Sequence, residues 1–306
     1  MKEIDRKGGK IMNPKVKKTS IKIGASAALA TGITLATRFD LAISSTLAGL
    51  KFNGKSFTLD VPTFASVLEI IGEWAPSVLA ATSALVVASV GSEACKTPKG
   101  RFAVKAGSFI PAMGLMAYAS NKTAEYLNYS LGGIAGRMMF AAFSFAVTAI
   151  LYLLVGKIPP DIKKKLFLPA AYTLAASIAV LLTVSTLKTV WGRTRLRDMV
   201  EGNSLDAYTP WYKPNFFGGA YSFPSGHTAH ATLVLMLSTW ISGKFEKFRP
   251  AVNLLGYGFI ALMAFSRLAA GAHFLSDILF GFIIALGITE YFKAKCEKHS
   301  AKTVIS

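Results

Sequence analysis

Long apolar stretches separated by short polar and basic runs dominate the chain. A helix that crosses a bilayer needs about 20 mostly apolar residues. The third candidate stretch is short, and the first two contain charged residues, among them Glu69 and Glu73, for which helix packing or an interfacial position is the plainer interpretation. The pattern predicts an all-α, polytopic transmembrane helix bundle with spans near 23–47, 64–90, 104–121, 134–156, 166–187, 226–242, 251–271 and 274–292.

Composition supports a membrane protein. Hydrophobic residues make up 52% of the 306 residues and charged residues only 16%, whereas soluble domains carry about 25% charged residues. The net charge is +18, but the basic residues flank the apolar stretches, and no nucleic-acid-binding module is visible. We therefore expect the membrane bilayer, and not nucleic acid, as the partner of this charge. The only cysteines, Cys95 and Cys296, indicate neither a disulfide framework nor a thiolate metal site.

The basic residues also predict an orientation. The N-terminal tail, every second connection and the C-terminal tail are rich in lysine and arginine, and such segments stay in the cytoplasm. Spanning by all eight stretches, with both termini inside, satisfies this rule. The alternative has six spans, with 64–90 and 104–121 lying on the membrane or forming a re-entrant pair, and it leaves the basic loop between them outside.

The connection 188–225 is basic although it is predicted to lie outside. Positive charge on that side suggests an anionic substrate. Its first motif runs from Lys188 to Arg195, and these two cations share one face if the helix continues. Together they could hold phosphate oxygens, arginine in bidentate fashion. The alternative is a basic cluster that snorkels at a lipid interface.

The second motif, Phe-Pro-Ser-Gly-His, ends at His227 and opens the 226–242 stretch. Ser225 suits the N-cap of a helix, and Gly226 lets the backbone approach a ligand closely. A helix N-terminus is a ready anion site, at which His227 can exchange a proton. The alternative is a capped turn with an incidental histidine.

The third motif contains Arg267, His273 and Asp277. His273 and Asp277 are four residues apart, so on a helix they share a face and can hydrogen bond. A carboxylate on one imidazole nitrogen raises the nucleophilicity of the other. The alternative is a structural pair that closes a helical hairpin. Ionisable groups in membrane proteins are costly and usually functional, and all three motifs fall at one predicted membrane face. No carboxylate cluster suited to magnesium accompanies them, so we expect chemistry without a metal or another cofactor.

In that order, Lys-x6-Arg, Pro-Ser-Gly-His and Ser-Arg-x5-His-x3-Asp resemble the type 2 phosphatidic acid phosphatase (PAP2) superfamily over about residues 130–292. One departure is Leu196, where the family usually has proline. It leaves open whether Arg193, Arg195 or Arg197 is the phosphate clamp, and the spacing favours Arg195. The resemblance implies catalysis by a nucleophile, an orienting carboxylate and a general acid and base, namely His273, Asp277 and His227. It also implies phosphate binding by Lys188, Arg195, Ser225, Gly226 and Arg267.

The resemblance implies a six-helix phosphatase core at 101–292, preceded by a basic tail at 1–22 and an additional transmembrane hairpin at 23–100, and followed by a tail at 293–306. The expected function is removal of phosphate from a lipid phosphate or diphosphate through a phosphohistidine. The expected place is the outer face of a cell membrane, in a bacterial inner membrane. Two alternatives stay open: transfer of the phosphate to an acceptor alcohol, and a non-catalytic lipid transporter.

Overall fold

Nine α-helices and one short β-ribbon make up the part of the chain that the computed structural model describes, residues 14–127 and 133–305. Most of the predicted basic tail, and part of the predicted connection 122–133, lie outside those residues. The elements are α1 (Pro14–Leu47), β1 (Lys51–Phe52), β2 (Phe57–Thr58), α2 (Thr63–Glu93), α3 (Pro98–Tyr126), α4 (Gly133–Lys157), α5 (Pro160–Trp191), α6 (Leu196–Glu201), α7 (Gly226–Thr232), α8 (Arg249–Ala269) and α9 (Leu275–Ile305).

Six of the described helices are long and apolar enough to cross a membrane: α2, α3, α4, α5, α8 and α9. This confirms the all-α polytopic bundle. The six include α2 and α3, the pair that the six-span alternative lays on the membrane, so their length and composition favour spanning. By the same measure α1 is not a candidate span, and its helix is interrupted at Phe39, where φ is −127° and ψ is 16°.

The predicted span 226–242 is not one continuous helix. It divides into α7 and a 3₁₀ helix, Leu233–Trp240. In the latter, the Ser238 and Thr239 hydroxyls donate to carbonyls three residues earlier, a type of side-chain bond that competes with regular helix. The predicted tail 293–306 is helical, because α9 continues through it to Ile305.

The core of the bundle joins helices from both halves of the chain. One apolar cluster connects α5, α7 and α9 through Val180, Ala229 and Ala285, all fully buried. Another connects α2 to α8 through Leu68 and Met263. Helix α2 therefore packs against α5, α7 and α8 as well as against α3, and it is an internal element of the bundle.

The long connection between α5 and α7 is held in place at its start and again at Asn203. Helix α5 ends at Gly192, whose φ of 62° is left-handed and favours glycine. A Cβ at Gly192 would lie 1.9 Å from the carbonyl oxygen of Asn215, so no larger residue fits. Farther along, Asn203 accepts from the Phe57 amide of β2 and donates to the Lys55 carbonyl. The connection 188–225 is thus anchored to the β-ribbon that follows α1.

Candidate active site

A cavity of about 400 Å³ lies where the C-terminal end of α5, the N-terminal end of α7 and the corner between α8 and α9 meet α2 and α3. Residues from all three sequence motifs line it. The predicted site residues on its wall are Lys188, Arg195, Gly226, His227 and His273. The other three, Ser225, Arg267 and Asp277, are fully buried behind it.

The second motif forms a tight turn that leads into α7. Ser225 caps the helix, because its hydroxyl oxygen accepts from the Thr228 amide, and its own amide donates to the Asp277 carbonyl at 2.8 Å. The peptide bond between Phe223 and Pro224 is cis. The Ser225 hydroxyl therefore supports the turn, while Gly226 and His227 face the cavity.

Helix α9 touches the backbone of this turn. A Cβ at Gly281 would lie 2.5 Å from the Ser225 carbonyl oxygen, and backbone on both sides leaves little room for adjustment. We expect Gly281→Ala to lower the free energy of unfolding by about 1–3 kcal/mol, the usual cost of overpacking. Thermal unfolding in detergent measures the change. Gly287→Ala on the same helix is the control, since nothing lies within 4 Å of its added Cβ. Equal midpoints for the two variants would contradict this packing.

Lys188 reaches the cavity from the last turn of α5. Its Nζ donates to the Tyr221 carbonyl at 2.6 Å. A Cβ on Gly226 would lie 3.3 Å from the Lys188 Cε, so the absence of a side chain at Gly226 keeps room for the lysine stem. The ammonium is therefore held beside the Gly226 backbone, on the wall of the cavity.

The two arginines of the first motif and Arg197, which follows it, occupy different environments. Arg195 and Arg197 line the cavity. The buried Nε of Arg195 has no hydrogen-bond partner among the described residues, an uncommon state for a buried donor and one that suits an arginine awaiting an anion. Arg193 is 1% exposed and points away, into a buried network. The geometry therefore leaves Arg195 and Arg197 as candidates for the phosphate clamp, and the choice of Arg195 by spacing stays a prediction.

The network around Arg193 joins α1 to α9. Its guanidinium lies 2.6 Å from Asp277 Oδ1 and 2.9 Å from Asp40 Oδ2. It also donates to the Ser276 hydroxyl at 2.7 Å. Asp40 in turn accepts from the Ser276 amide at 2.9 Å. One buried arginine thus forms ion pairs with two buried carboxylates and fixes Asp277 in place.

The predicted hydrogen bond between His273 and Asp277 is not formed. His273 Nδ1 lies 3.8 Å from Asp277 Oδ2, beyond hydrogen-bond distance. The reason is competition, because the same Oδ2 accepts from the Ser222 hydroxyl at 2.6 Å and from the Phe274 amide at 2.9 Å. Asp277 still lies on the Nδ1 side of the ring, which leaves Nε2 as the nitrogen remote from the carboxylate.

His273 lies in the corner between α8 and α9 and is 3% exposed. Burial lowers the pKa of its imidazole to about 3, because an apolar environment disfavours the charged form. The ring is therefore neutral at neutral pH and keeps the lone pair that a nucleophile needs.

Arg267 is tied to α2. Its NH1 lies 3.0 Å from Glu69 Oε1, its NH2 donates to the Ala65 carbonyl, and its Nε donates to the Ser266 hydroxyl at 3.1 Å. The side chain is 0% exposed. The structure therefore places Arg267 behind the cavity wall, in contact with α2, although its buried NH1 has no hydrogen-bond partner among the described residues.

Two carboxylates of α2 belong to the site although the motifs do not include them. Glu69 and Glu73 line the cavity. His227 Nε2 lies 3.2 Å from the Glu69 carbonyl oxygen and 3.4 Å from Glu73 Oε1. A Cβ on Gly72 would lie 2.4 Å from the His227 ring, so the imidazole packs directly on the α2 backbone. Their signal in the sequence was two acidic residues one turn apart in an apolar helix, a pattern that usually marks function.

Comparison with known proteins agrees with this geometry. Residues 166–295 match the sequence model of the PAP2 superfamily, and all three motifs fall inside that range. Phosphatidylglycerophosphatase B of Bacillus subtilis (strain 168) is 29% identical over 110 residues, which are 35% of this chain and 53% of that protein. The similarity thus spans about half the length of that relative. No solved structure matches the chain. The three motifs and the cavity that they line therefore lie in a part of the chain that is similar to the PAP2 superfamily.

Proposed function

We propose that the protein is a lipid phosphatase that hydrolyses a lipid phosphate or diphosphate through a phosphohistidine. The observation that carries the proposal is the convergence of two imidazoles, from His227 and His273, with the cations Lys188 and Arg195 around one cavity. Phosphoryl transfer depends mainly on positioning and on stabilisation of charge, and this set of groups supplies both.

A second cavity supports a lipid substrate. It has a volume of about 500 Å³, lies between α2, α3 and α5, and is lined mostly by apolar side chains. Both cavities are lined by Glu73, Tyr118, Leu181 and His230, so the two lie side by side. A phosphate in the first cavity would have an apolar space beside it that suits a hydrocarbon chain.

In the first step of the proposed reaction, Nε2 of His273 attacks phosphorus. The N–P bond forms while the P–O bond to the leaving oxygen breaks, and His227 donates a proton to that oxygen. Its Nε2–H is directed to the Glu69 carbonyl, so Nδ1 is the nitrogen that exchanges the proton. Glu73, 3.4 Å away, stabilises the imidazolium that must form.

In the second step, His227 accepts a proton from water as the water oxygen bonds to phosphorus. The N–P bond breaks and its electron pair returns to His273, which releases inorganic phosphate. Asp277, whose Oδ2 lies 3.8 Å from His273 Nδ1, stabilises the positive charge that the ring gains when it is phosphorylated. Lys188, Arg195 and the Gly226 amide balance the charge on the equatorial oxygens, and no step needs a metal ion.

The proposed location is a cell membrane, with the cavity on the non-cytoplasmic side. The support is the distribution of basic residues, since the connections at the opposite end of the bundle, 94–105, 157–165 and 243–249, are rich in lysine and arginine. Substrate would then reach the site from the outer leaflet.

The test is phosphate release by purified protein in detergent, with EDTA present, from a panel of lipid phosphates. The panel contains phosphatidylglycerol phosphate, phosphatidate, undecaprenyl diphosphate and lipid A phosphates. The name of the Bacillus subtilis relative favours the first of these. Release of inorganic phosphate supports the proposal. Transfer to an added alcohol without release indicates a phosphotransferase, and no turnover of any lipid indicates a binding or transport protein.

A further inference from the structure

Arg197 belongs to none of the three motifs, yet its backbone is fixed close to the nucleophile. Its amide donates to the Gly271 carbonyl at 2.9 Å, two residues before His273. Gly271 has a left-handed φ of +59°, and a Cβ there would lie 2.6 Å from the Leu59 side chain. The corner that carries His273 and the start of α6 therefore hold each other at a set distance.

The side chain of Arg197 faces the cavity. It is 30% exposed and forms part of the cavity wall. Among the described residues, the Arg197 side chain donates one hydrogen bond, from NH1 to Glu69 Oε1 at 3.1 Å. Its Nε lies 3.9 Å from Asp198 Oδ1, which is beyond hydrogen-bond distance. A guanidinium has five N–H donors, so most of the donors of Arg197 remain available to an anion in the cavity.

Glu69 lies between two guanidinium groups. On the inner side Arg267, which is fully buried, contacts the same Oε1 at 3.0 Å. One carboxylate and two arginines leave a net positive charge. Because Arg267 is enclosed and Arg197 is not, that charge is presented to the cavity by Arg197.

We propose that Arg197 binds the substrate phosphate as the third cation of the site, beside Lys188 and Arg195. Glu69 is its positioning residue, and Arg267 anchors Glu69 from behind. This inference rests on the proposed function, since it assigns a role in binding the phosphate of that substrate.

Inhibition and binding of vanadate, a phosphate mimic, test the role of Arg197. We expect Arg197→Gln to raise the inhibition constant of vanadate about ten- to hundredfold, the range for loss of one charged hydrogen bond. Arg197→Lys should recover part of the loss because it keeps the charge. The control is Arg101→Gln at the exposed start of α3, which should match wild type. An inhibition constant for Arg197→Gln within twofold of wild type would overturn the inference.

The positioning role of Glu69 needs a separate readout. Glu69→Gln should also raise the inhibition constant, whereas Glu69→Asp should raise it less. In the Arg197→Gln background, Glu69→Gln should add little, because the two residues act as one unit. Thermal unfolding in detergent shows that each variant is folded. Tighter vanadate binding by Glu69→Gln would mean that Glu69 only opposes the anion, and the positioning role would be wrong.

Direct binding separates this inference from the proposed function. Titration calorimetry of vanadate needs no turnover. If wild type binds vanadate, Arg197→Gln binds it weakly and no lipid phosphate is hydrolysed, then the assignment of Arg197 holds and the phosphatase proposal fails. If wild type hydrolyses a lipid phosphate and binds vanadate, but Arg197→Gln binds vanadate as tightly as wild type, the assignment of Arg197 fails and the phosphatase proposal holds.

Discussion

Replacing His273 with alanine is expected to abolish phosphate release, because His273 forms the covalent intermediate in the proposed reaction. Removal of a catalytic nucleophile elsewhere lowers turnover on the order of 10⁶-fold. The measurement is the initial rate of phosphate release, together with trapping of radiolabelled phosphoprotein by a denaturing quench at alkaline pH. Wild type should give an acid-labile, alkali-stable label, and His273→Ala should give none. A labelled, active His273→Ala protein would rule out this histidine as nucleophile.

Two further variants sharpen that result. His227→Ala should slow release, but with a good leaving group it should still accumulate label, because the first step then needs no acid while the second still needs a base. His299→Ala is the matched control, since His299 lies near the far end of α9 and contacts Tyr172. We expect its rate to equal that of wild type. Wild-type activity in His227→Ala would remove His227 from the mechanism.

Replacing Arg193 with methionine is expected to lower the free energy of unfolding more than Gly281→Ala does. Methionine keeps an unbranched apolar stem but leaves Asp40 and Asp277 buried without their cation, which lies 2.9 and 2.6 Å from them in the native protein. Removing one partner of a buried ion pair costs about 3–5 kcal/mol. The measurement is the midpoint of thermal unfolding in detergent, with phosphate release at a temperature at which the variant is folded.

A double variant tests the cause of that loss. Adding Asp40→Asn to Arg193→Met removes one of the two unpaired charges and should restore part of the midpoint. Lys51→Met is the control, because the Lys51–Asp60 pair is 70% and 74% exposed, and exposed ion pairs contribute little. Equal midpoints for Arg193→Met and Lys51→Met would show that the buried network does not stabilise the fold.

Sequence patterns predicted the helices that depend on a continuous apolar run. The three sequence motifs also pointed to residues that meet in the structure. One cavity is lined by Lys188, Arg195, Gly226, His227 and His273. The pattern did not predict the division of 226–242 into α7 and a 3₁₀ helix. That division depends on side-chain bonds to the backbone, which hydropathy does not record.

The contributions of the N-terminal helices were harder to foresee. Asp40 contacts Arg193 across 153 positions of the sequence, and Glu69 contacts Arg267 from the other half of the chain. Such pairs depend on how helices dock, and no local spacing encodes them. The sequence marked these acidic residues as unusual in apolar helices, but only the packed structure shows which cation each one meets.

The docking of α1 and α2 makes the structural unit around the buried ion pairs larger than the segment that is similar to the PAP2 superfamily. Residues 166–295 match the superfamily, yet a fragment cut to those limits would carry Arg193 and Arg267 without Asp40 and Glu69 and would lose the α2 surface on which His227 rests. A graft of this site into another protein would therefore have to include α1 and α2 together with the three motifs.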